Sequence, residues 1–234
     1  MATIRILSGG AAQAVVEKIG ADFQRDTGHV ISAEFSAVGA MKEKLLAGDP
    51  ADIMILTAAL IDGLIASGHV APRSRADLGR VGTGVAVRAG TPLPNVNNAG
   101  VLRANILAAT VIACPDPTVA TAGKVVMNML DKLGIAGEVR DRMRFFPNGY
   151  AAMRWLAAST GTLEMGMTQV TEILPNPAVA LAGQLPADLQ TKTVYSAGLV
   201  ASASQPYLAR EFIARLTAPE ARPVLAAAGY EFND

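Results

Sequence analysis

Three times within the first 65 residues a short apolar run passes through small residues into a segment with helical spacing. Ile4 to Leu7 leads through Ser8-Gly9-Gly10 into a stretch where Ala12, Val15, Val16, Ile19 and Phe23 share one helical face, with Gly28 as the stop. Val30 to Phe35 leads into VGAMKEKLLAG, where Met41 and Leu45 lie one turn apart. Asp52 to Leu56 is apolar at every position from Ile53 onward and leads into AALIDGLIASG, with Thr57 as its expected N-cap. A run that is apolar at every position suits a strand covered on both faces, as in a parallel sheet. Strands of this kind alternating with helices argue for a parallel sheet flanked by helices.

A second series follows. GRVGTGVAVRAGTPLP, Gly79 to Pro94, reads as one extended stretch ending in a turn. ATVIAC, MRFFP and LEMGMT read as strands, and TAGKVVMNMLDKLG and NGYAAMRWLAAST as helices. NPAVALAGQLPADLQ is Pro-rich and reads as a loop, and Lys192 to Ser202 as a second long extended stretch. Two helices close the chain, the first marked by Leu208, Phe212 and Leu216. Two α/β series, each bounded by an extended stretch, predict two lobes joined by two crossings. The expected division is 1–81 plus 200–234 for the first lobe and 82–199 for the second. At 234 residues, 51% hydrophobic and 17% charged, the chain is long and apolar enough to bury a core in each. No internal repeat is visible.

Lys plus Arg and Asp plus Glu are both 20, so the net charge is zero. No basic stripe exists to meet a phosphate backbone, which argues against nucleic acid as a partner. No apolar run is long enough for a membrane span, and nothing resembles a polybasic anchor. The single cysteine, Cys114, cannot form an internal disulfide and reads as a buried small residue. His29 and His69 lack zinc-ligand spacing, so no metal is expected. Ser8 has no triad motif around it, there is no P-loop, and GTGVAV opens no helix, so no cofactor is expected. Met1-Ala2-Thr3 leads straight into the first strand without a basic and apolar leader. The expectation is therefore a cytoplasmic protein, or a periplasmic one whose leader has been removed and replaced by Met.

Five segments carry a family resemblance. RILSGGAAQAV looks like a first ligand loop. FSAVGAMKEKLLAGDPADIMIL looks like a second, followed by the signature Gly-x-Pro-Ala-Asp at Gly48 to Asp52. PDPTVATAGKVVMNMLDKLG looks like the loop of a second lobe, LEMGMTQVTEIL like a strand and turn closing the pocket, and LTAPEARPVLAAAGYEF like the closing helix. In this order they resemble extracellular solute-binding proteins of the molybdate-binding-like group, which serve ABC importers. The resemblance implies an α/β, two-lobed, type II periplasmic-binding-protein-like fold, each lobe a mixed, mainly parallel sheet, with two hinge crossings. It also implies a monomer that takes up a small anion in an interlobe cleft and hands it to a permease.

Ligand contact is expected from Ser8, Gly9 and Gly10, where backbone N–H groups at a helix start would hold a carboxylate. Ala37, Val38 and Gly39 would offer N–H donors before the next helix, with Thr57 beyond them. In the second lobe the candidates are Thr121 and Ala122, then Gly149 and Tyr150, then Gln169 where molybdate receptors often carry a tyrosine. Asp116 would repel an anion and is expected to brace its loop; Arg80 is expected in a surface ion pair or else to supply the charge that a polycarboxylate needs, and Trp155 in the core. Loop one places Gly10, Ala11 and Ala12 where molybdate receptors place serines. Loss of those hydroxyl donors opens room and points to a larger, partly carbon ligand, an organic carboxylate. Aconitate isomerases also look like members of this group, so an isomerase with Tyr150 or Glu172 as acid or base is the second reading.

Overall fold

The computed structural model describes residues 1–232. In chain order, β1 (Thr3–Gly9) passes through a single 3-10 turn (Gly10–Ala12) into α1 (Gln13–Thr27) and β2 (Val30–Ser36). Then follow α2 (Val38–Leu46), β3 (Ile53–Thr57), α3 (Ala58–Ala66) and β4 (Ala76–Val81). The central part runs β5 (Thr83–Arg88), α4 (Ala99–Ala108), β6 (Val111–Pro115), α5 (Thr121–Lys132) and α6 (Ala136–Val139). It continues with β7 (Met143–Phe146), α7 (Gly149–Ala158), β8 (Glu164–Gln169), α8 (Val170–Ile173) and β9 (Val179–Gln184). The last elements are β10 (Thr193–Leu199), α9 (Pro206–Thr217) and α10 (Arg222–Ala227).

The chain forms two compact units, Met1–Val81 with the segment from Thr193 onward, and Gly82–Lys192. Thr193–Leu199, expected in the second lobe, belongs to the first unit. As β10 it pairs antiparallel with both β3 and β4, so seven residues of backbone hydrogen bonding decide its place. The long stretch Gly79 to Pro94 is likewise divided: β4 ends at Val81, Gly82 intervenes, and β5 begins in the other sheet.

The first sheet has the order β2-β1-β3-β10-β4, with β1 parallel to β2 and β3. Its core holds Ile53 to Leu56 at 0% exposure, as the uninterrupted apolar run requires. Phe23 of α1 meets Phe212 of α9 edge-on at 5.2 Å. Gly28 ends α1 in the left-handed conformation, φ 72°, which a side chain would disfavour. Asp52, the acid of the Gly48–Asp52 signature, is buried and ties three segments together. Its carboxylate accepts from the Arg5 N–H at 2.8 Å, and from the Ser204 hydroxyl and Gln205 N–H at 3.0 Å each.

The second sheet has the order β7-β6-β8-β5-β9, with β6 parallel to β7 and β8 and β5 antiparallel to β8 and β9. One face packs Val85, Ile112 and Met167 with Val126 and Met129 of α5; the other packs Ala86 and Ala113 with Met153 and Leu156 of α7. The Pro-rich segment expected as a loop contains β9: Pro177 and Pro186 flank the strand and remove no ladder bond from within it. α4 was not expected, and begins at Asn98, whose side chain accepts from Val101 N–H at 3.0 Å. Trp155 packs only partly into its core, with Arg144 over its ring at 4.7 Å.

The two sheets match strand for strand, β1 with β6, β2 with β7, β3 with β8, β10 with β5 and β4 with β9. The antiparallel strand comes last in the first unit's sheet order along the chain and first in the second's.

Candidate functional site

In open α/β sheets, ligands collect beyond the carboxyl ends of the strands, where successive crossovers leave in opposite directions. In the first unit that point lies between β1 and β3. Ser8, Gly9 and Gly10 stand at the end of β1, Ala37, Val38 and Gly39 at the end of β2, and Thr57 at the end of β3. These seven expected site residues therefore share one end of one sheet. Gly9 is held close: a Cβ there would come within 2.7 Å of Val38 Cγ1 and 3.5 Å of Tyr195 Cε1. Tyr195, opposite Thr57 in the ladder, joins this end and had no signal in the sequence beyond its place in an extended run. The Ser8 hydroxyl is buried and donates to Gly9 O at 2.9 Å.

None of the helices starting here has a side-chain cap. Ala37 and Thr57 occupy the N-cap positions of α2 and α3 in extended conformation, and neither caps, although Thr57 was expected to. The 3-10 turn before α1 starts after Gly9, which also lacks a cap bond. The Tyr230 hydroxyl, donating to Ala11 O at 3.1 Å, pins that turn from the closing segment.

The corresponding point in the second unit lies between β6 and β8. Asp116 braces the loop after β6 as expected, accepting from the Thr118 N–H at 2.8 Å and hydroxyl at 2.7 Å, which holds its carboxyl below the usual range. Ala120 is the N-cap of α5 and makes no side-chain cap bond, so Thr121 and Ala122 begin a helix with a bare first turn. Gly123 lets that turn press on the loop: a Cβ there would lie 2.3 Å from Pro115 O and 2.7 Å from Pro117 N. Cys114, at the end of β6, is buried, and burial with the nearby Asp116 charge pushes its thiol up to about 12.

Gln169 ends β8 with 1% exposure, and neither atom of its amide has a hydrogen-bond partner among the described residues. Thr83 lies directly opposite in the antiparallel ladder at 0% exposure, with its hydroxyl equally unpartnered. Thr171, two residues beyond Gln169, is a third side chain with such an atom, its Oγ1. Buried polar atoms without partners are few in folded proteins and call for a specific explanation. Thr83's backbone is fully satisfied: its N–H goes to Gln190 Oε1 at 3.0 Å, and its carbonyl accepts from Gln190 Nε2 at 2.8 Å.

The start of α7 is occupied from within. Asn148 caps it, accepting from Ala151 N–H at 2.8 Å. The Gly149 N–H, expected to meet a ligand, donates instead to the Glu172 carboxyl, as does the Gln169 N–H. The Thr168 hydroxyl donates to Glu172 Oε2 at 2.5 Å. Glu172 is enclosed, and burial pushes its carboxyl up to about 7 although all three bonds pull it down. Gly149 is obligatory beside it, because a Cβ would lie 2.0 Å from Glu172 Oε2. The Tyr150 hydroxyl donates to Thr171 O at 3.4 Å. Arg80, expected in a surface ion pair, is half-buried with its Nε unpartnered among the described residues, and its backbone pairs with Glu231.

Residues 4–231 match the family described as bacterial extracellular solute-binding protein. The chain belongs to that family. An aconitate isomerase from a Pseudomonas species is 24% identical over 235 residues, covering 97% of this chain and 87% of that one. YvgL of Bacillus subtilis, named for substrate binding in an ABC transporter and as a lipoprotein, is 23% identical over 231 residues, covering 97% and 86%. The periplasmic molybdate-binding protein of Azotobacter vinelandii superimposes with a TM-score of 0.84 at 21% identity, over 99% of this chain and 100% of that one. That likeness shows the periplasmic-binding-protein fold, and the family makes this a solute-binding protein.

Proposed function

We propose that the protein is an exported receptor that captures a small organic carboxylate and delivers it unchanged to a membrane permease. The observation that carries this reading is the set of helices starting on residues that do not cap them: α2 and α3, α1 with its preceding turn, and α5. Bare first-turn N–H groups favour an anion, each helix end by about 0.3–1 kcal/mol and more when partly buried. Hydrogen bonds to a charged acceptor add about 1.5–3 kcal/mol each. The three helix starts of the first unit together reach the roughly 8 kcal/mol of micromolar affinity. The contacts proposed in the first unit are the backbone N–H groups of Gly9, Gly10, Val38 and Gly39, with Thr57. In the second unit, taken by itself, the candidates are Thr121 and Ala122 at the start of α5 and the Gln169 amide, with Tyr150 at the start of α7. Carboxylate is favoured over a tetrahedral oxyanion because hydroxyl donors are scarce. Loop one carries Ala11 and Ala12, and its only hydroxyl, Ser8, is turned to Gly9 O.

The test is a thermal-shift screen against molybdate, tungstate, sulfate, phosphate and a panel of di- and tricarboxylates including both aconitate isomers. A ligand at a hundred times its Kd stabilises by about 2.7 kcal/mol. Stabilisation by a carboxylate and none by molybdate is the expected result; the reverse overturns it.

Glu172 and the Pseudomonas relative favour a second reading, an isomerase of an unsaturated polycarboxylate. A carboxyl pushed up to about 7 holds a proton that it can release at neutral pH. NMR of each stabilising compound after overnight incubation separates the two: a receptor returns it unchanged, an isomerase as a mixture that Glu172→Gln abolishes.

A further inference from the structure

Thr83 and Gln169 stand on neighbouring strands at the same end of the second sheet. Residues directly opposed in an antiparallel ladder put their side chains on one face. That face is the one covered by α5, because Val85 and Met167, two residues away on each strand, pack against Val125, Val126 and Met129. The uncapped start of α5 therefore shares face and strand end with two buried side chains whose polar atoms have no partner among the described residues. Thr168, Glu172 and the start of α7 lie on the opposite face and are satisfied among themselves.

The chemistry of the orphaned atoms is specific. The helix start only donates. The Thr83 hydroxyl can turn either way, and Gln169 Nε2 donates, but Gln169 Oε1 only accepts. A fully ionised oxyanion can accept from every donor here but brings no donor of its own for Oε1. A ligand that leaves a buried carbonyl oxygen unpaired loses roughly 5- to 150-fold in affinity. The missing donor is not an ammonium, because the positive end of the α5 dipole on the same face disfavours a cation. A neutral hydroxyl supplies a donor without that charge.

We propose that Thr83 and Gln169 read a hydroxyl group on the ligand, which makes the natural ligand a hydroxylated carboxylate rather than a bare oxyanion or an unsubstituted acid. This rests on the carboxylate-receptor reading above, and the two fail separately. The hydroxyl lies between the two side chains, donating to Gln169 Oε1 and accepting from the Thr83 hydroxyl, while a carboxylate of the same molecule faces the first turn of α5.

Isothermal titration of the full chain with acids that differ by one hydroxyl tests it: malate against succinate, citrate against propane-1,2,3-tricarboxylate, lactate against propionate. The expected result is at least about tenfold tighter binding of the hydroxylated member in the pair that fits. Thr83→Val with Gln169→Leu brings that pair to within about twofold, mainly by weakening the hydroxylated acid, because apolar isosteres ask for no partner. Each variant alone, ligand-free, melts no lower than the parent, which also controls for folding. Equal binding within every pair, or a preference that survives the double variant, overturns the hydroxyl assignment while leaving the carboxylate receptor standing. Binding of molybdate or sulfate in place of every acid overturns both.

Discussion

Glu172→Gln isolates the one buried carboxyl among the described residues whose proton the fold itself retains. In the folded chain Glu172 titrates near 7, against 4.5 for an ordinary glutamate. Between those values the folded protein holds a proton that the unfolded chain has released. Stability therefore falls as pH rises through this window and levels off above it. The interval corresponds to roughly 3 kcal/mol, undiminished by solvent because the group is enclosed. Glutamine keeps an acceptor oxygen for the Gly149 and Gln169 N–H groups and has no proton to lose. Urea unfolding of both proteins at about pH 4 and about pH 8 supplies the four free energies needed. The parent should lose roughly 3 kcal/mol more than the variant across that interval, while every other titrating group cancels. An equal loss in the two proteins refutes the reasoning, because it means that Glu172 ionises in place without cost.

Two further predictions concern parts of the molecule that hold the site. Asp52→Ala leaves the Arg5 and Gln205 N–H groups without their acceptor and should lower the unfolding free energy by about 2–4 kcal/mol, measured by urea titration at unchanged m-value; a loss under about 1 kcal/mol would show that water replaces the carboxylate. Gly123→Ala drives a Cβ into the Pro115 carbonyl and the Pro117 nitrogen, backbone atoms that cannot rotate aside, so the start of α5 must move. The expected outcome is a lower Tm and weaker binding of whichever carboxylate stabilises the parent. Unchanged affinity would remove α5 from the site.

The most legible parts of the sequence were those where local pattern and global fold agree. Ile53 to Leu56 announced a strand covered on both faces, and those four residues are fully buried. Gly28, Gly68 and Gly134 marked helix ends and stand just beyond them in left-handed conformation. β9 was missed because its flanking prolines give a loop signal, while the strand exists only through pairing with β5. At the candidate site, Gln169 was legible as an isolated amide at the end of a strand. Thr83 was not: it sat unmarked within a long extended run, and only the ladder put it opposite Gln169. Gly149 looked like a ligand donor in sequence because nothing there shows that Glu172, twenty-three residues on, takes its N–H.

By itself the sequence determined the alternation of strands and helices, the glycine turns at strand ends and the absence of a basic face. These are properties of neighbouring residues, set by hydrophobic period, backbone freedom and charge count. Only the tertiary structure decided which sheet receives β10, which helix starts stay bare, and which polar side chains are buried without a partner. Those depend on hydrogen bonds between segments far apart in the chain. A donor or acceptor becomes available to a ligand only when the rest of the fold has failed to use it.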